Sequence, residues 1–224
     1  MRRVAAGALA LGLLLAACTD DSGPSEEAEV VATTTTSTPS AVSVRLSQLL
    51  IDAEDLPGFR DVVTNRNFAA GRSPRINLCG EDLRSELRIV AGRQSRFTDG
   101  EVEVAHTVTS GGDTNDALTR FQEVVDGCDA PWTEPPLPNG GGPVQREITG
   151  TYPVPDVGVD GAGAIVRSTN REGGTDTVVV VLVEGAVVSS LSVSGPIGSD
   201  FSVVDTAIQA AADRLTAGQS PAAP

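Results

Sequence analysis

The sequence predicts an α+β domain: a single twisted antiparallel sheet with helices packed on it. Three observations carry that expectation. Strand-like stretches flank tight turn signals at Asp99-Gly100 and Glu184-Gly185, and strands joined so closely run antiparallel. Apolar residues recur at helical spacing in three other stretches, at Leu46/Leu49/Leu50/Ala53, Ala117/Phe121/Val124/Val125 and Phe201/Val204/Ile208/Ala211/Leu215. Finally, Thr177 to Val183 is apolar without alternation, as in a central strand covered on both faces.

In chain order, the first helix is expected to stop at Leu56-Pro57-Gly58, because proline cannot continue it and the pair favours a turn. Phe59 to Asn65 reads as a strand. Residues 80 to 91 read two ways: Leu83, Leu87 and Val90 fit a short helix, while Arg88 to Phe97 fits a strand equally well. After the Asp99-Gly100 turn, Val102, Val104, His106 and Val108 alternate onto one strand face. Asp113 stands where the second helix needs an N-cap and Gly127 where it must end. Pro131 to Pro143 reads as a loop, and Val144 to Gly150, Ala162 to Thr169 and Ala186 to Val193 as strands. Ser199 is the expected cap of the last helix, and Thr216 to Pro224, rich in Ala, Pro and Ser, is expected to fray. There is no internal repeat.

The amino terminus reads as an address. Arg2 and Arg3 precede an apolar run, Val4 to Ala17, that is short for a membrane-spanning helix and has the order of a secretory signal. It ends Leu15-Ala16-Ala17-Cys18, which resembles the bacterial lipobox. In that motif the cysteine becomes the first mature residue and carries diacylglycerol and palmitate-type chains, whose methylenes anchor the protein in a membrane. An uncleaved anchor or a plain secretory signal beside an ordinary Cys18 are the alternatives. The expected plan is a signal peptide over 1–17, lipidated Cys18 and a disordered acidic, Thr-rich tether over 18–42. A folded domain over 43–217 and a tail over 218–224 complete it. Cleavage removes Arg2 and Arg3, which makes the net charge of −14 two units more negative.

Composition removes much chemistry. All 16 basic residues are arginine, so Schiff bases, a P-loop lysine and a Ser-Lys dyad are excluded. A single histidine, His106, cannot build a multi-histidine metal site, and no metal or cofactor is expected. The acidic balance argues against nucleic acid. His106 could serve a Ser-His-acid triad, but there is no G-x-S-x-G elbow. Asp156-x-Gly158-x-Asp160-Gly161 starts like a calcium loop and fails at Arg167, where a bidentate glutamate is required. Gly140-Gly141-Gly142 lacks the strand-to-helix context of a phosphate cradle.

Cys79 and Cys128 would reach an oxidising compartment after export and are expected to pair, closing a loop of about 50 residues. A metal or catalytic thiol pair is the alternative, without CxxC spacing and with one histidine to help. Trp132 follows Cys128 closely; it packs over that region or lines a ligand groove. Five Phe, one Trp and one Tyr, scattered along the chain, give no stacking platform for sugars or bases.

Taken together, several features resemble one family. They are the lipobox and spacer, Leu49-Leu50-Ile51-Asp52-Ala53-Glu54-Asp55-Leu56-Pro57-Gly58, Cys79, Phe97-Thr98-Asp99-Gly100 and a helix from Asp116-Ala117 through Phe121 to Cys128. Trp132, a Val-rich hairpin and an Ala-rich last helix complete the set. The pattern resembles the extracellular sensor domain of the mycobacterial kinase PknH, a fold also found on stand-alone actinobacterial lipoproteins, and covers about residues 43 to 217. The resemblance implies an α+β sheet with a cleft that binds an unidentified extracellular ligand. It also implies two disulfides, where this sequence can form one, so part of the cleft rim is less restrained. With no kinase in the sequence, signalling would pass through a partner.

The function expected is a non-catalytic, lipid-anchored domain on the extracytoplasmic face of the cell membrane, binding a small or envelope-derived ligand. His106 and Trp132 are the candidate groove residues. The alternatives are an envelope interaction protein without a small ligand, and a hydrolase using His106.

Overall fold

In a computed structural model of the chain, residues 41–69, 77–83, 91–111, 114–135 and 142–219 are described. Cys18, the signal, most of the tether, Leu87, Val90 and Asp113 lie outside the described residues. All the described elements belong to one compact unit within residues 38–224.

They run α1 (Ala41–Gln48), β1 (Arg60–Ala69), β2 (Asn77–Leu78), β3 (Glu81–Asp82), β4 (Ala91–Thr98), β5 (Glu103–Ser110) and α2 (Thr114–Asp126). Then come β6 (Trp132–Glu134), β7 (Val144–Tyr152), β8 (Asp160–Asn170), β9 (Gly173–Glu184), β10 (Val187–Pro196) and α3 (Val203–Gln219). Eight strands form one sheet in the order β1-β4-β5-β10-β9-β8-β7-β6, every pair antiparallel. The α+β expectation holds, with β2 and β3 added as a separate two-stranded ribbon.

Local chemistry explains the turns. Asp99 Oδ1 accepts from the Glu101 and Val102 amides, each at 2.8 Å, and Gly100 adopts φ +109° between β4 and β5. Gly185 at φ +57° turns β9 into β10. The run Thr177 to Val183 lies in β9, fifth of the eight strands, and is covered on both faces. Val178, Val180 and Leu182 join one core with α1 and α3, while Val181 and Val183 join a second core with α2.

Three elements differ from the sequence expectation. The first helix ends at Gln48, and Ala53 belongs to a separate 3-10 turn over Ala53–Asp55. The Ile51 amide leaves the helical ladder to donate to His106 Nδ1 at 3.0 Å. Asp52 then offers the backbone a local alternative, accepting from the Glu54 amide while its own amide donates to Asp55 Oδ2. The last helix starts at Val203, and Ser199 instead donates to Glu101 Oε1 at 3.1 Å. It runs on to Gln219 because Gly218 lies against Leu49, where a Cβ would come within 2.2 Å of Leu49 Cδ2. The loop expected from Pro131 contains the short edge strand β6, paired with Val144 to Arg146. Of the ambiguous stretch 80–91, Glu81, Asp82 and Ala91 lie in strands, and Gly80 and Leu83 in turns.

No helix among the described residues is long and apolar enough to cross a membrane.

Candidate functional site: a hydroxyl- and arginine-lined cleft

The sheet presents alternate residues to its two faces. On the first face α1 and α3 cover Val104, Val108, Leu191 and Val193. On the opposite face α2 packs over β8, β9 and β10, burying Phe121 and Val124 against Val181, Val183 and Val188. The rest of that face is not covered by α2 and forms a cleft of about 510 Å³, the size of small-molecule sites in general.

The cleft floor follows from β10. In Ser190-Leu191-Ser192-Val193-Ser194 the apolar residues face the first core, and the period of two sends three serines to the other side. Their register partners extend the floor: Ser190 stands opposite Thr107 of β5, and Ser194 opposite Thr177 of β9. The Thr177 and Ser194 hydroxyls bond at 3.0 Å, and Gln94 donates to Thr107 at 3.1 Å. Arg66 of β1 and Arg96 of β4 stand on one flank, and Arg146 of β7 on the other. Glu103 pairs with Arg96, and Glu134 with Arg146 at 3.1 Å. Asn77 and Leu78 of the β2–β3 ribbon also line the cleft.

The disulfide positions that ribbon. Cys79 and Cys128 are bonded, with Cα atoms 5.6 Å apart. Cys79 (φ +53°) and Gly80 (φ +79°) form the tip between β2 and β3, both in the left-handed region that a two-residue hairpin demands. The bond ties this tip to the end of α2, and an ion pair from Glu81 to Arg120 adds a second tie.

The two candidate groove residues lie apart. His106 is on the first face, fully buried, and does not line the cleft. Its Nδ1 accepts from the Ile51 amide, so Nε2 carries the proton and donates to Ser189 Oγ at 2.8 Å. Burial first, then the charge of Arg214, pushes its pKa down to about 3. Ser189 is equally buried. A triad places a carboxylate on one ring nitrogen and leaves the other as a base for serine. Here an amide donor occupies the first position and the second is already protonated, so this pair cannot perform hydrolase chemistry. Trp132 sits on β6 as the register neighbour of Arg146 and packs against the second core. Among the described residues, no three Asp, Glu, His or Cys side chains gather as a metal site.

Sequence reading did not single out the cleft residues. The signal was present in the strict alternation of β10, which separates its serines from its apolar residues.

The sequence matches no family model and no curated protein. Among solved structures, the chain is similar to the extracellular domain of PknH from Mycobacterium tuberculosis. The identity is 13% and the TM-score 0.57, covering 80% of this chain and 97% of that one. An uncharacterised protein from Mycobacterium smegmatis, the Rv0999 ortholog, matches at 8% identity and a TM-score of 0.40, covering 76% of this chain and 96% of that one. What the first likeness shows is architecture: the described elements share the fold of the PknH extracellular domain.

Proposed function

We propose that this chain is an extracytoplasmic sensor domain, held to the membrane by lipid on Cys18, whose cleft binds a small ligand without transforming it. The observation that carries the reading is the cleft itself, with its size, its polar floor and its position on the face α2 leaves open. The lipobox-like Leu15-Ala16-Ala17-Cys18 and the acidic, Thr-rich stretch to residue 42 support an anchor and tether, with the folded domain following from residue 43. The shared fold with an extracellular domain supports the location outside the cytoplasm. On this reading the protein acts as a stand-alone lipoprotein, and ligand occupancy is passed to an envelope partner.

Two measurements test it. Mass spectrometry of the mature amino terminus is expected to show acylated Cys18, and an unmodified terminus at another residue removes the anchor. A protein-observed NMR screen of envelope-derived small molecules is expected to give hits that shift resonances of Ser190, Ser192 and Thr107. A screen in which no compound perturbs these residues, while a partner protein protects them, favours the interaction-protein alternative.

A further inference from the structure

The chemistry of the cleft wall narrows the ligand class, on the premise just stated that the cleft is a ligand site. The chain has 30 acidic side chains against 16 basic ones, yet the cleft lining reverses that ratio, with Arg66, Arg96 and Arg146 against Glu103. Arg96 is held by Glu103, but no described residue supplies Arg66 with a carboxylate. Arg146 spends one terminal nitrogen on Glu134, while its Nε is buried without a partner. Trp132 Nε1, on the neighbouring strand at the same register, is a second buried donor without a partner. Buried donors are nearly always satisfied, because leaving one unmet forfeits its hydration with nothing in return. An acid group beside Arg146, whose side chain stays 33% exposed, would meet a guanidinium, the cation best shaped for carboxylate or phosphate. Across Val166 of β8 and Thr177 and Val179 of β9, the floor reaches the hydroxyls of Ser194, Ser192 and Ser190, each able to donate and accept. That pattern complements a molecule carrying an acid at one end and several hydroxyls along its length.

We propose that the cleft binds a small hydroxylated anion, a sugar carboxylate or sugar phosphate, with the acid at Arg146 and the hydroxyls on the serine column of β10. Arg66 raises the positive potential at the mouth. The volume of about 510 Å³ suits one or two sugar rings rather than a polymer segment.

Calorimetric titration of the full chain with glucuronate, glucose 6-phosphate, neutral glucose and inorganic phosphate tests this. At least one sugar acid is expected to bind, with neutral glucose and inorganic phosphate each weaker by about tenfold or more. Arg146→Gln is expected to cost a similar factor, Arg146→Lys to recover part of it, and Arg66→Gln to weaken binding a few-fold, more at low salt than at high. Should Arg146→Gln unfold the β6–β7 edge, Arg66→Gln and the salt dependence still decide. Equal binding of glucose and the acids overturns the anionic class but leaves a ligand site in place. So does acid binding that survives both Arg variants. Failure of every probe also overturns the class, while NMR hits at Ser192 from other compounds would show that the site itself stands.

Discussion

His106 is a structural hinge-pin rather than a reactive group, and its surroundings fix its protonation state. The Ile51 amide always donates, so Nδ1 must keep its lone pair, and Ser189 takes the Nε2 proton. A second proton would face an N–H at bonding distance inside a core, with Arg214 close enough to oppose the charge. The pKa of about 3 therefore lies below the ordinary 6.5, and the sign of the pH dependence follows. The unfolded chain takes up the proton first as pH falls, so the stabilisation is complete above about 6.5 and is lost progressively toward 3. Because this is the only histidine, stability between pH 6.5 and 5.5 is expected to fall with a slope approaching about 1.4 kcal/mol per unit. Asp52, held below the usual carboxylate range chiefly by its hydrogen bond to Arg214, adds to the loss only at lower pH. Urea denaturation across that range checks it, and a flat profile contradicts it. His106→Leu is expected to remove the slope and to cost about 2–5 kcal/mol, because it strands the Ile51 amide and the Ser189 hydroxyl in the core.

At the scale of elements, the disulfide is the clearest lever. It ties a two-residue hairpin, too small to hold itself, to the end of α2 across a separation of 49 residues. Cys79→Ala with Cys128→Ala is expected to lower unfolding free energy by about 4 kcal/mol, read by urea denaturation, with reduction of the native protein matching it. The cost should appear first at the ribbon, as loss of Leu78 protection in hydrogen exchange. If the double variant is as stable as the parent, the ribbon is held by Arg120 and the Leu78 core contact instead. The α2 stripe and the continuous run of β9 were legible in the sequence because periodicity is a local signal. Residues 77–82 were not, since a hairpin of four paired residues offers no period, and its turn uses a cysteine where glycine or asparagine is usual. The edge strand from Trp132 to Glu134 was hidden for the same reason, since three residues are too few to display an alternation. The break after Gln48 depended on His106, 55 residues away from Ile51, and no window around the helix contains it. The cleft was illegible as a site because it collects alternate residues from strands distant in sequence. Only the serine alternation of β10 could have pointed to it.

At the scale of the molecule, the sheet is two meanders closed on each other. One is β1-β4-β5 and the other runs from β6 to β10, and α2 carries the chain between them from β5 to the far edge. The seam is the β5–β10 pairing, registered from Val187 opposite Ser110 to Ser194 opposite Glu103. Two meanders could in principle open separately, but the cores argue against it. Val104 and Val108 from one share a core with Val180, Leu182 and Leu191 from the other, under α1 and α3. The His106–Ser189 bond crosses the seam inside that core. On the opposite face the cleft floor itself spans the seam, since Thr107 belongs to β5 and Ser190 to β10. Opening the seam would therefore expose the largest core and dismantle the cleft together, so the domain should unfold as one cooperative unit. Native-state hydrogen exchange is expected to place the amides of β5, β10 and β9 in the slowest class, exchanging only with global unfolding. Edge strands β1 and β6 should exchange through smaller openings. A free energy of opening for β1-β4-β5 several kcal/mol below that of β8 to β10 would show two separable halves, with a floor that assembles only when they dock. A ligand bound across the seam would then raise the opening free energy of both strands equally, because its hydroxyl contacts reach Thr107 and Ser190 at once.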